Sequence, residues 1–241
     1  MGKIMRTFII ILLFLMHGFQ NKLCAQWIEV DFDNKPNTIT VAPLNLFDFI
    51  NPSLQLGYER MLNKKITFQV EGGLILNHDI RNYLVDNIRG FKDCPFTNSG
   101  FKIRGEFKYF YSERKLIKPY VSYEIFYTKN RSGVQDLFLI ADTTFIYSKP
   151  RPVGANTYYD FFMNDKQRFG INLKFGLKYL IGKNLLLEPH IGIGVVLRKS
   201  NHYDRENIND KLYDEVSSIN NKAGIIWLPN LPFNIKIGYR F

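Results

Sequence analysis

The sequence predicts an all-β protein: an eight-stranded antiparallel up-and-down transmembrane β-barrel with a filled polar interior. Three observations predict it. Segments of about ten residues alternate apolar and polar side chains, the period of a strand with two unlike faces. From the second strand on, the connections alternate short and long, as a barrel with turns on one side of a membrane and loops on the other requires; only the first connection breaks the pattern by being short. The polar faces mix glycine with large ionic residues, a combination that fills a narrow interior and that a solvated surface has little need of.

The clearest element is 233–241. Phe233, Ile235, Ile237, Tyr239 and Phe241 lie on one side, and Asn234, Lys236, Gly238 and Arg240 on the other. At the opposite end of the chain, Lys3 and Arg6 precede an apolar run at 8–16 and then Leu23-Cys24-Ala25-Gln26. That run is too short for a spanning helix, which needs roughly 20 residues. It reads as a secretory signal peptide, 1–25, cleaved after Ala25, which leaves 26–241 as the barrel. Acylation of Cys24 is the alternative, but Lys22 and Leu23 make a poor lipobox. Cys94 is then the sole cysteine, an incidental loop thiol with no disulfide partner.

Between these ends the strands follow in order. After a polar lead at 27–36, the first is 38–46, with imperfect alternation at Ala42-Pro43. The second, 53–61, sets Leu54, Leu56 and Tyr58 against Gln55, Gly57 and Glu59. Asn63-Lys64 turns the chain into the third, 66–74, and a long polar segment at 77–99 follows. The fourth, 101–109, opposes Phe101, Ile103, Phe107 and Tyr109 to Lys102, Arg104, Glu106 and Lys108. The fifth has Val121, Tyr123, Ile125 and Tyr127 on its apolar side, and the longest connection, 129–166, comes next. The sixth is 169–179, Gly182-Lys183-Asn184 is a turn, and the seventh is 185–197 with Glu188, His190, Gly192 and Gly194 on its polar side. A loop at 199–231 returns to the last strand. Pro189, on the apolar side, removes a ladder donor and predicts a bulge or local irregularity.

The formal charge of +10 invites an anionic partner, but its distribution argues otherwise. Lys3, Arg6 and Lys22 leave with the signal peptide, and much of the remainder lies within the strands and short turns. No basic run with interleaved aromatics appears, and a secreted chain does not meet genomic DNA. Nucleic-acid binding is therefore excluded.

On the polar faces, Glu59, Glu71, Glu106, Glu124 and Glu188 are set to pair with Lys102, Arg104, Lys108, Lys174, Lys178, Lys236 and Arg240. Paired, they form a rigid salt-bridged plug, because an unpaired buried charge costs several kcal/mol. An ion path through the plug is the sharper alternative. His190 reads as a member of the plug. No metal-ligand cluster, phosphate loop or nucleophile elbow is present, so no catalytic, cofactor-binding or metal residue is assigned and no cofactor is expected. The only constellation that invites lipid-A chemistry is Ser200-Asn-His202 with Asp204 and Glu206, in the reverse order of a lipid-A deacylase His–Ser pair and placed in a polar loop. The 129–166 connection is unusually aromatic, with Phe138, Phe145, Tyr147, Tyr158, Tyr159, Phe161 and Phe162. Its 136–147 part could extend the wall as a hairpin around Ala141-Asp142. These aromatics either pack against neighbouring loops or offer a surface to a partner.

Pro43-Leu-Asn-Leu, Leu56-Gly-Tyr-Glu-Arg60, Glu188-Pro-His-Ile-Gly-Ile-Gly194 and the terminal Ile-Gly-Tyr-Arg-Phe241 resemble small outer-membrane barrel proteins of Bacteroidetes, within the broad OmpA/OmpX-like group. The resemblance implies an outer-membrane location in a Gram-negative bacterium. It also implies contact with outer-membrane lipids and lipopolysaccharide, and insertion through the barrel-assembly machinery, which reads the terminal aromatic. It implies no activity. The expected role is structural or interactive, through long extracellular loops and an outer-membrane partner protein at loop 129–166. A small-solute or ion channel and a lipid-A modifying enzyme are the alternatives.

Overall fold

The computed structural model describes residues 36–47, 53–76, 98–111, 117–140, 151–154, 157–181, 183–207, 209–213 and 221–241. The expected signal peptide, Cys94, Phe145 and Tyr147 lie outside them. The strands are β1 (Asn37–Val41), β2 (Ser53–Met61), β3 (Ile66–Ile75), β4 (Asn98–Phe110), β5 (Ile117–Leu139), β6 (Arg151–Gly154), β7 (Thr157–Ile181), β8 (Leu185–Tyr203), β9 (Lys211–Leu212), β10 (Gly224–Asn230) and β11 (Phe233–Arg240). A short 3-10 helix, Pro43–Phe47, follows β1.

Eight of these positions close into an antiparallel barrel in the order β1-β2-β3-β4-β5-β7-β8-β11, with β11 returning to β1. β10 and β11 occupy one position. Asn230 faces Gly194 and Phe233 faces Ile191, so both keep a single register against β8 across Leu231-Pro232. There the Gly192 N–H still donates to the Pro232 carbonyl at 2.8 Å. The register also fixes the stagger. From Glu124 one row runs through Asn172 and Gly194 to Asn230. The other way it runs through Glu106, Gln69, Glu59 and Thr38 to Arg240, ten residues farther along the same wall position. Such a displacement tilts the strands and lets the sheet close.

The two faces are inverted relative to a water-soluble barrel. Leu56 is 59% exposed on the outside, and Glu59, three residues on and facing in, is 2% exposed. Leu54, Leu74, Ile103, Phe107, Phe175, Ile191 and Ile193 share the exposed exterior, whereas Glu106, Lys108, Lys174 and Lys236 are buried inside. A lipocalin-type barrel would have the opposite arrangement. Water would not tolerate an apolar girdle of this extent, and hydrocarbon demands both the girdle and a closed ladder. Among the described residues no helix is long and apolar enough to cross a membrane, which says nothing about strands.

Several predicted boundaries move. The first strand, expected over 38–46, ends at Val41, because Pro43 lacks an N–H and opens the 3-10 helix closed by Asn45 N–H to Ala42 carbonyl. Ser53–Met61 is found as predicted, and the Asn63 turn is held by its side-chain oxygen accepting from the N–H groups of Lys65 and Ile66. The largest correction concerns 129–166. Most of it is wall, because β5 and β7 stay paired from Ile117↔Tyr179 out to Leu139↔Thr157. The wall is thus extended by β5 and β7 themselves, and the hairpin expected around Ala141-Asp142 lies outside the described residues. β8 likewise runs on to Tyr203, and β10 occupies part of the expected loop at 199–231. At Pro189 the β7–β8 ladder is interrupted between Gly176↔His190 and Tyr179↔Leu187 with the register unchanged, an irregularity without a bulge.

Candidate functional site: the filled lumen and the cap on the tall wall

The lumen is built by strand alternation, which points every second side chain of β2, β3, β4, β5, β7, β8 and β11 inward. The predicted glutamates and lysines meet there. On one level, Lys108 Nζ donates to Glu59 at 2.6 Å and to Glu188 at 2.5 Å, which joins β4 to β2 and β8 across the bore. Lys178 also pairs with Glu59, and the Tyr120 hydroxyl donates to Glu188 at 2.8 Å. On the next level, Lys174 Nζ lies 2.8 Å from both Glu106 and Glu124. Lys236 reaches Glu106 at 2.9 Å and pairs with Glu71. Ser122 and Asn172 donate to Glu106 and Glu124 respectively. Arg104 stands 4.0 Å from Glu124, and Lys102 donates to Ser53. Arg240 and His190 are buried inward as expected. Each glutamate predicted to face the lumen therefore has a cationic partner.

Glycines make this packing possible. Tyr120 lies over Gly176, its cross-strand neighbour, and a Cβ there would sit 2.3 Å from the ring. Phe126 covers Gly170 in the same way, at 2.5 Å. The sequence reading placed glycine beside long charged residues. The structure shows that at these two positions it makes room for aromatic rings.

Above the girdle, β5, β7 and β8 carry a second inward cluster that strand prediction missed. Phe138, Tyr158 and Phe162 are buried together, with Val134, Ile140 and Leu212 against them. The Arg205 guanidinium sits 4.3 Å from the Phe138 ring centre. Tyr158 hydroxyl donates to Asp210 at 2.7 Å, and the Glu206 N–H donates to Asp160 at 2.9 Å. Burial raises the Asp160 carboxyl above its ordinary range, against the N–H groups of Glu206 and Phe161 that favour the anion. Asn221 ties the segment before β10 into this cap. Its amide donates to Asp136 at 2.9 Å, its side-chain oxygen accepts from Lys166 at 3.0 Å, and its carbonyl pairs with His202 Nε2. Burial, with Arg205, Lys166 and Arg198 nearby, lowers His202 below its usual range, and the Asn221 carbonyl acts the other way.

Of the aromatics predicted in this region, Phe138, Tyr158 and Phe162 are packed, and Tyr159 and Phe161 are exposed on the outer face. The signal that could have found the cap was the inward spacing Tyr158-Asp160-Phe162. Ser200 and His202 lie on β8, not in a solvated loop, and their hydrogen bonds run to Asn164 and to Asn221. Among the described residues no group of three or more His, Cys, Asp or Glu could hold a metal ion.

No family model matches the chain, and comparison with curated proteins gives no match. Among solved structures it is similar to a major outer membrane protein from Thermus thermophilus, at 12% identity and a TM-score of 0.42, over 86% of this chain and 98% of that one. The barrel architecture stands on register and burial alone.

Proposed function

We propose that this chain is an integral outer-membrane β-barrel protein of a Gram-negative bacterium, with a structural or interaction role carried by its tall wall and loops. The observation that carries the reading is the inverted barrel: apolar side chains exposed outside, paired charges buried inside. The motifs around Glu59, Glu188 and Tyr239 support placing it with the small OmpA/OmpX-like barrels of Bacteroidetes. A filled lumen favours an anchor over a conduit, since Lys108 and Lys236 bridge opposite walls of the bore. Ser200 and His202 give lipid-A chemistry no support, because both are engaged in the cap and face away from the lipid side.

The test is fractionation of cells that express the full chain. The expected result is retention in outer membranes through alkaline carbonate extraction, with a compact band that shifts on boiling before electrophoresis. Recovery in the soluble fraction would sink the membrane reading. Extraction in mild detergent, followed by mass spectrometry of bound protein, then examines the interaction role. A stoichiometric partner lost on substitution of Tyr159 and Phe161 would place that role on the tall wall.

A further inference from the structure

The outer face of the tall wall has three zones. The lowest is the end of the apolar girdle, where Ile103, Tyr127, Phe169, Leu197 and Trp227 form one cross-strand row. Ile103, Phe169 and Trp227 are 52%, 51% and 70% exposed. Directly above it β5 and β8 turn cationic, while Phe101 on β4 and Ile225 on β10 keep the two flanks of that row apolar. Lys129 and Lys199 flank Gln167 in the next outward row, and Arg131 stands one step higher beside Asp165. All three cations are exposed. Above them the face becomes aromatic again, with Tyr203, Phe161 and Tyr159 exposed on β8 and β7. Arg131 links the two upper zones, its guanidinium 5.7 Å from the Tyr203 ring centre.

We propose that this face binds a phosphorylated glycolipid of the surrounding leaflet, an inference that rests on the membrane reading above. Acyl chains would lie on the girdle, phosphates between Lys129, Arg131 and Lys199, and sugar rings against Tyr203 and Phe161. Two lysines separated by one intervening strand are roughly 10 Å apart, a span that suits a headgroup with two phosphates. Asp165 offsets one of the three cations, so the patch retains a net positive charge, and a cation at the edge of an apolar band attracts lipid anions. The upper aromatic zone decides the class of lipid. An anionic glycerophospholipid would use only the lower two zones, whereas a sugar headgroup uses all three.

The experiment reconstitutes the full chain into phosphatidylcholine vesicles. These are doped in turn with bisphosphorylated lipid A, its dephosphorylated form, or phosphatidylglycerol. Flotation scores insertion, and native mass spectrometry after mild detergent release scores retained lipid. The expected result is preferential retention of bisphosphorylated lipid A. Lys199→Gln should lower retention about fivefold, and Lys129→Gln, Arg131→Gln and Lys199→Gln combined about a hundredfold, with flotation unchanged. Tyr203→Ala should weaken lipid A retention and leave phosphatidylglycerol unaffected. If the triple variant fails to float, the single Lys199→Gln variant carries the test. Equal retention of phosphatidylglycerol, or undiminished retention by a floating variant, overturns the glycolipid site and leaves the membrane reading standing. Failure of the unsubstituted chain to float overturns both.

Discussion

Glu106 and Glu124 stand directly opposite one another on β4 and β5, and Lys174 holds both, 2.8 Å from each carboxylate. Two like charges in cross-strand register repel. With the lysine between them, the repulsion becomes a three-centre pairing that fixes β7 against its neighbours. Replacing Lys174 by Met leaves two buried carboxylates short of a counter-charge and should cost about 3–5 kcal/mol. Urea unfolding in lipid vesicles measures it. Adding Glu124→Gln should restore part of the loss, which a simple packing defect would not do.

The Tyr120–Gly176 pair makes a different demand, one of volume. Gly176→Val should displace the Tyr120 ring and with it the hydroxyl that donates to Glu188. The expected loss is about 1–3 kcal/mol, typical of overpacking, and shows as a lower temperature for the boiling-dependent band shift. Gly72→Val, at a glycine with nothing within 4 Å of its added Cβ, serves as the control and should be close to neutral.

The cap should open independently of the barrel. Phe138→Ala removes the centre of its cluster and should cost about 3–5 kcal/mol locally. Asn221→Ala removes the side-chain bonds to Asp136 and Lys166 together. In both variants trypsin should cut after Lys222 at least about tenfold faster, given hydrogen bonds to charged groups of roughly 1.5–3 kcal/mol each. The band shift should stay where it is. If the band shift falls in parallel with protease resistance, cap and barrel are a single cooperative unit.

Acidification should loosen the cap through His202. Its folded pKa lies below the usual 6.5, so the neutral ring stabilises the fold fully above that value. The contribution is lost as pH falls from 6.5 toward the folded pKa. Asp160 has the opposite sign. Its raised folded pKa makes the protonated form the better fit, so its effect strengthens the cap as pH falls through that raised pKa. Cleavage after Lys222 should therefore quicken between pH 7 and 5 in the unsubstituted chain. His202→Gln should flatten that response, and Asp160→Asn should leave it in place.

The girdle and the lumen were legible because their two faces differ in kind. Leu54 against Gln55, or Phe107 against Lys108, announces a strand and its inward side in a few residues. The tall wall was not legible for the opposite reason. Lys129, Arg131 and Asp165 face out while Asn130, Asn164 and Lys166 face in, so both faces are polar and period two leaves no hydropathy trace. Which lysine pairs with which glutamate was likewise beyond the sequence. Lys108 to Glu188 joins residues 80 apart, a contact set by closure and stagger and not by local pattern. Asn221 is the extreme case, an ordinary residue between polar neighbours that three strands converge upon.

The pairing of β1 with β11 joins Thr38 to Arg240, the two ends of the wall. Every other seam of the barrel joins strands that are consecutive in the chain or nearly so. This one closes the longest stretch of chain and so carries the largest single loop-closure cost among the seams. Until it forms, β1 and β11 each present an unsatisfied ladder that hydrocarbon cannot accept. Burial in the bilayer and formation of the last seam should then be a single kinetic event, and the rate of that event should track the strength of the Thr38–Val41 pairing with 237–240 more closely than any contact in the interior.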